Sequence, residues 1–124
     1  MKEVLLIIDF GSQYTQLIAR RVRELNVCSE IIPFDKFKSL PTHVKGVILS
    51  GGPASVNNID APTIDLSLIR KHVPLLALCY GAQLIASKIG GHVETSNNRE
   101  YGRSTLSLVD ENNLFTSVSK KSQV

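Results

Sequence analysis

The chain has 124 residues, of which 43% are hydrophobic and 20% charged, as in an ordinary soluble globular domain or part of one. The net charge of +3 and an aromatic content of 6% are too low to indicate a nucleic-acid partner. No apolar run has the length of a membrane span, and two cysteines, Cys28 and Cys79, form neither a disulfide framework nor a zinc cluster. Free thiols predict a reducing, cytoplasmic location.

The chain opens with a continuous apolar run over residues 4–8, which is typical of a central strand buried on both faces. A turn follows in which Ser12 is the predicted N-cap of a helix that continues to about Leu25. Apolar side chains at helical spacing predict the buried stripe of this helix. The predicted stripe consists of Tyr14, Leu17, Ile18, Val22 and Leu25.

The rest of the chain continues the alternation of strands and helices. It predicts a strand over 28–33, a helical turn near Phe37 and Leu40, a strand over 46–50, a helix over 63–71, a strand over 74–78 and a helix over 80–89 that Gly90 and Gly91 end. This order indicates an α/β fold with an open, mostly parallel sheet and helices on both faces. After residue 91, short segments at 92–94 and 102–109 predict a small antiparallel extension.

The strand over 74–78 stops at Cys79, a glycine follows at position 81, and a helix begins at once. This is the layout of a nucleophile elbow, with the small residues Ala77 and Gly81 on either side of the bend. The start of a helix also favours a thiolate. The alternative is a cysteine simply buried in a strand, which is the commoner fate of a cysteine in an apolar run. Cys28 has no activating neighbour and is predicted to be such a packed cysteine.

The strand over 46–50 runs into Gly51-Gly52-Pro53, where glycine allows backbone N–H groups to approach a ligand closely. An acyl group on Cys79 would need two donors for its oxyanion, and the N–H groups of Gly52 and Tyr80 are the candidates. The alternative is a tight turn that only leads out of the strand.

A cysteine nucleophile also needs a base, usually a histidine that a carboxylate orients. His43 lies in a connector, and His72 precedes the strand at the end remote from Cys79. His92 and Glu94 share one face of a predicted strand, but the helix before them carries the chain about 15 Å away from the elbow. The sequence therefore predicts a nucleophile and oxyanion donors without a base, and a solvent-facing role for His92 and Glu94.

Two motifs together, Cys79-Tyr80-Gly81-Ala82-Gln83 and Gly51-Gly52-Pro53, resemble those of the class I (triad) glutamine amidotransferases. Residues 9–24, 49–56 and 99–102 look like the glutaminase domain of GMP synthases in particular. The resemblance extends from about Val4 to Phe115. It implies an enzyme that attacks the side-chain amide of glutamine through a cysteine, forms a γ-glutamyl thioester and releases ammonia.

Carried over to this sequence, the resemblance implies Cys79 as nucleophile, the backbone amides of Gly52 and Tyr80 as oxyanion hole, and Gln83 in the glutamine pocket, with no metal site in this chain. The ammonia would pass to a synthetase (ATP-pyrophosphatase) domain or subunit. That partner uses ATP and magnesium to convert xanthosine monophosphate (XMP) to GMP, and a homodimer is one assembly open to the full enzyme.

Two departures from the family pattern matter. The family usually has glycine where this chain has Ala77, and the family's His-Pro-Glu segment, which supplies the base, falls beyond Val124. We therefore expect residues 1–124 to be one partial amidotransferase domain that hydrolyses glutamine poorly alone. A glutaminase for another acceptor synthase and a non-catalytic regulatory module stay open as alternatives.

Overall fold

The computed structural model describes residues 2–94. The chain divides into two units, Met1–Val93 and Glu94–Val124, and every element below belongs to the first. Residues 92–94 have no regular secondary structure, so the strand predicted there is wrong. The other predicted strand of the antiparallel extension, over 102–109, lies outside the described residues.

Four parallel strands form the described sheet, in the spatial order β2-β1-β3-β4. Their bounds are Val4–Asp9 for β1, Ser29–Pro33 for β2, Val44–Leu49 for β3 and Leu75–Ala77 for β4. The two central strands, β1 and β3, are buried along most of their length, as their continuous apolar runs predict. Since all four strands are parallel, their carboxyl ends meet at one edge of the sheet.

Two helices cover opposite faces of this sheet, α1 over Thr15–Glu24 and α2 over Tyr80–Lys88. Side chains alternate between the faces of a strand, so neighbouring residues of β1 pack into different clusters. Ile7 packs with Ala19 and Val22 of α1, whereas Ile8 belongs to the cluster that contains Tyr80 and Leu84 of α2. The predicted α/β class, with helices on both faces of a parallel sheet, is confirmed.

The predicted start and buried stripe of α1 need correction. Ser12 is not the N-cap, because α1 begins at Thr15 and the Ser12 hydroxyl instead accepts the Tyr14 N–H at 3.0 Å in the preceding turn. Of the predicted stripe, Val22 is buried and Ile18 half-buried, but Tyr14, Leu17 and Leu25 are 59%, 43% and 76% exposed. The buried face is narrower and is built from Thr15, Ala19 and Val22, so small side chains set the approach to the sheet.

The helix predicted over residues 63–71 is also wrong, since only a 3₁₀ turn, Leu66–Leu68, forms there. The Asp65 carboxylate accepts the Ser67 N–H at 3.0 Å and the Ser67 hydroxyl at 2.6 Å. Such local side-chain bonds compete with helix formation. A second 3₁₀ turn, Phe34–Lys36, precedes the predicted position near Phe37.

The end of α2 confirms the predicted glycine stop. Gly90 has a φ of +93° and donates to the Ser87 carbonyl at 3.4 Å, while Gly91 donates to the Ala86 carbonyl at 2.7 Å. This pair of bonds is the Schellman arrangement. Within residues 2–94, neither helix has the length and apolar character that crossing a membrane requires.

Candidate active site

The carboxyl ends of β1, β3 and β4 open into one cleft of about 340 Å³. The cleft is lined by Gly11, Ser12, Gln13, Tyr14, Gly51, Gly52, Pro53 and Cys79. The turns that follow β1, β3 and β4 therefore meet at this edge, as is usual for the carboxyl ends of parallel strands.

Cys79 occupies the corner between β4 and α2. The Leu78 N–H still donates to the Leu49 carbonyl of β3 at 3.0 Å, whereas the Cys79 carbonyl already accepts the N–H groups of Ala82 and Gln83. The chain thus changes from strand pairing to helix at a single residue, whose φ is +50° and ψ is −115°. This conformation is rare for any residue with a side chain, and it leaves Cys79 exposed.

Gly81 allows the corner to close. Its N–H donates to the Ser50 carbonyl at 3.2 Å and to the Leu78 carbonyl at 2.9 Å. A Cβ atom at this position would lie 2.6 Å from the Leu49 Cβ and 3.0 Å from the Leu49 carbonyl oxygen. The first turn of α2 therefore packs directly on the end of β3. The corner forms with Ala77 as the last residue of β4, paired with Leu49.

The Gly51-Gly52 segment passes between Cys79 and the end of β1. A Cβ atom on Gly51 would lie 3.1 Å from the Cys79 Cβ and 3.7 Å from its Sγ. A Cβ atom on Gly52 would lie 2.3 Å from the Phe10 carbonyl oxygen. Within the described part of the chain, no hydrogen bond engages the backbone N–H of Gly52 or of Tyr80. Both predicted donors are therefore free to receive an acceptor.

The Tyr80 side chain points away from the cleft. It is 1% exposed, its ring centroid lies 5.3 Å from that of Phe10, and its hydroxyl donates to the Pro62 carbonyl. Burial raises the pKa of the Tyr80 hydroxyl above its ordinary value. The side chain thus anchors the start of α2, while only the backbone of Tyr80 faces the elbow.

Sequence reasoning missed the polar side chains that hold the cleft loops. Ser50 is fully buried, accepts the Phe10 N–H at 3.0 Å and donates to the Gly51 carbonyl at 2.9 Å. Asp9 accepts the Gly11 N–H at 2.8 Å and the hydroxyl of buried Thr15 at 3.0 Å. The position of Ser50 at the end of a buried strand could have predicted this role, because a buried hydroxyl needs hydrogen-bond partners.

The other predicted residues lie elsewhere. Gln83 is half-buried in α2 and does not line the cleft. His43 lies 3.3 Å from a Glu30 carboxylate oxygen, and His72 lines a separate, larger cleft of about 790 Å³ beyond the amino end of β4. His92 is exposed after α2. None of the chain's three histidines lines the cleft that contains Cys79.

The fold and this corner are those of an α/β protein in which a sharp turn between a strand and a helix exposes a side chain at the edge of a parallel sheet. The chain belongs to the glutamine amidotransferase class-I family, whose model matches residues 6–124.

Curated relatives make the resemblance more specific. The chain is 59% identical to the glutamine-hydrolyzing GMP synthase of Cytophaga hutchinsonii over 100% of its own length and 25% of that protein. It is 51% identical to the corresponding protein of Petrotoga mobilis over 94% of its length and 23% of that protein. The chain thus spans about a quarter of these relatives.

A solved structure agrees with the family model and with the curated relatives. A protein of Thermoplasma acidophilum, described as one of the subunits of a GMP synthase, superposes on this chain with a TM-score of 0.79 at 30% identity. The match covers 100% of this chain and 63% of that one.

Proposed function

We propose that this chain carries the glutaminase activity of a GMP synthase, with Cys79 as the nucleophile. The observation that carries the proposal is the corner itself, in which an exposed thiol sits at a φ of +50° beside two unengaged backbone N–H groups. A strained residue persists only where its surroundings enforce it, and such residues cluster at active sites. The relatives of the family support glutamine as the substrate.

In the proposed reaction the Cys79 thiolate attacks the side-chain amide carbon of glutamine. A carbon–sulfur bond forms, and the carbonyl electron pair moves to the oxygen. The N–H groups of Gly52 and Tyr80 receive this oxyanion, and each such donor is worth about 10²–10³-fold in rate. The intermediate then collapses, the carbon–nitrogen bond breaks and ammonia leaves with a proton from a general acid. Water hydrolyses the thioester to glutamate.

The acid and base of this cycle are not assigned to a histidine of this chain, because none lines the cleft. We assign them to the family's His-Pro-Glu segment, and Gln83 to the wall of the glutamine pocket. Gln83 lies in α2 one helical turn after Cys79, which places it on the same side of the helix as the elbow.

We further propose that the ammonia serves a synthetase domain or subunit that converts XMP to GMP with ATP and magnesium. The support is the identity to GMP synthases over the whole of this chain. We place the ATP and magnesium on that partner, as the resemblance to the GMP synthases implies. A cytoplasmic location fits the two free cysteines.

The test compares two nitrogen sources in the full-length protein. Cys79→Ala should abolish GMP formation from XMP with glutamine and retain it with ammonium, because only the glutamine route needs the thiol. Cys28→Ala is the matched control, since Cys28 is half-buried and remote from the cleft, and it should retain both routes. Glutamine-dependent synthesis by Cys79→Ala would refute the proposal. If the unmutated protein hydrolyses glutamine but does not aminate XMP, the ammonia serves another acceptor. If it catalyses neither reaction, a regulatory module is favoured.

A further inference from the structure

We infer that Ser50 is a positioning residue that orients the Gly52 N–H for the oxyanion formed at Cys79. The inference rests on the proposed use of Cys79 as a nucleophile with a backbone oxyanion hole. It adds a side chain whose hydroxyl controls that hole without contacting substrate.

The geometry follows from one peptide plane. The Gly51 carbonyl and the Gly52 N–H belong to the same trans peptide, so they point in opposite directions. The Ser50 hydroxyl donates to the Gly51 carbonyl oxygen at 2.9 Å, and Ser50 is fully buried. The carbonyl is therefore held towards the interior, and the Gly52 N–H faces the opposite side, where Gly52 lines the cleft.

A peptide between two glycines needs such a restraint. Glycine populates positive and negative φ almost equally, so this plane can rotate at little steric cost when nothing holds it. The glycines cannot be replaced to stiffen it, because a Cβ atom on Gly52 would lie 2.3 Å from the Phe10 carbonyl oxygen. A hydrogen bond to the carbonyl is the remaining way to fix the direction of the N–H.

A second hydrogen bond to the Ser50 hydroxyl fixes the direction in which its hydrogen points. Its Oγ accepts the Phe10 N–H at 3.0 Å, which leaves the single hydroxyl hydrogen for the Gly51 carbonyl. Its backbone carbonyl accepts the Gly81 N–H at 3.2 Å, next to Tyr80. Ser50 therefore links the end of β1, the Gly51-Gly52 peptide and the first turn of α2, which carry both proposed donors.

The test uses two reagents for the same thiol. With p-nitrophenyl acetate, the Cys79 sulfur bonds to the carbonyl carbon through an oxyanion, and p-nitrophenolate leaves with the bonding electron pair. With iodoacetamide, the sulfur displaces iodide at a saturated carbon and no oxyanion forms. Both products are measured on the Cys79 peptide by mass spectrometry in the full-length protein, so labelling of Cys28 is not counted.

Ser50→Ala should slow acetylation of Cys79 by about 10–100-fold. This is less than the loss of about 10²–10³-fold for removing an oxyanion donor, because the Gly52 N–H remains but is no longer oriented. Alkylation of Cys79 should change by less than about twofold. Ser50→Thr retains the hydroxyl and should restore acetylation. Ser29→Ala is the matched control, since Ser29 also donates to a backbone carbonyl, that of Ala19 at 3.3 Å, but lies at the amino end of β2. It should leave both rates unchanged.

Equal slowing of both reactions by Ser50→Ala, or no slowing of either, would overturn the inference, because alkylation reports on the fold and the thiol alone. If Ser50→Ala does not fold, Ser50→Cys replaces it, since a thiol is a weak donor of similar shape, and the same selective loss of acetylation is expected. No step uses glutamine, so a selective loss in a protein that does not hydrolyse glutamine would contradict the proposed substrate and leave the role of Ser50 standing.

Discussion

The strain at Cys79 makes a stability prediction that does not depend on activity. A residue with a side chain in a sparsely populated backbone region costs about 1–3 kcal/mol, and glycine relieves that cost. Glycine also lowers the free energy of unfolding by about 0.4–1 kcal/mol relative to alanine, because it gives the unfolded chain more conformational freedom. Because Cys79 is exposed, its replacement leaves no cavity. Cys79→Gly should therefore be more stable than Cys79→Ala by about 0.5–2 kcal/mol.

Urea unfolding of the two variants measures this difference. With a slope of about 2 kcal/mol per molar urea, the midpoint of Cys79→Gly should lie about 0.3–1 M above that of Cys79→Ala. Cys28 provides the control, because its φ is not positive, and there glycine should be the less stable of the two replacements. If Cys79→Ala is as stable as Cys79→Gly or more stable, the backbone at position 79 is not strained.

Three further predictions concern the same region. Gly81→Ala should lower the free energy of unfolding by about 1–3 kcal/mol, because its Cβ would lie 2.6 Å from that of Leu49, and a wild-type urea midpoint would contradict this packing. Burial raises the Tyr80 pKa, so its stabilising contribution is complete below the ordinary value of 10.0 and is lost as pH rises above it. The unfolding free energy of the wild type should thus fall more steeply above that pH than that of Tyr80→Phe, and parallel curves would refute the assignment. Residues 1–124 alone should hydrolyse glutamine about 10²–10⁴-fold more slowly than the full-length protein, because no histidine lines the cleft, and equal rates of ammonia release would overturn this expectation.

The sequence predicted the sheet and the elbow well because both depend on strong local patterns. The apolar runs of β1 and β3 are typical of buried strands, and the change from apolar run to small residue to helix predicted a corner at Cys79, where the structure has one. Because β3 and β4 are parallel neighbours, the turns that follow them lie at the same edge of the sheet. Gly52 and Cys79, which lie in these turns, therefore line one cleft.

The errors arose where a tertiary contact or a local hydrogen bond overrides hydrophobic periodicity. In α1 the large apolar residues Tyr14 and Leu17 were expected inside, but the small Ala19 makes the contact with the sheet. Over 63–71 the Asp65 side chain takes the Ser67 N–H, which apolar spacing alone could not reveal. The role of Ser50 depends on a hydrogen bond between adjacent residues that no spacing rule encodes.

Trapping the covalent intermediate shows whether Cys79 is the nucleophile of a glutaminase. Full-length protein is mixed with glutamine and quenched in acid within the first turnover, and the Cys79 peptide is examined by mass spectrometry. A γ-glutamyl adduct should accumulate on Cys79 before steady-state ammonia release, and Cys28 should carry none. Glutamine hydrolysis without a Cys79 adduct, or with full activity in Cys79→Ala, would contradict this role of Cys79.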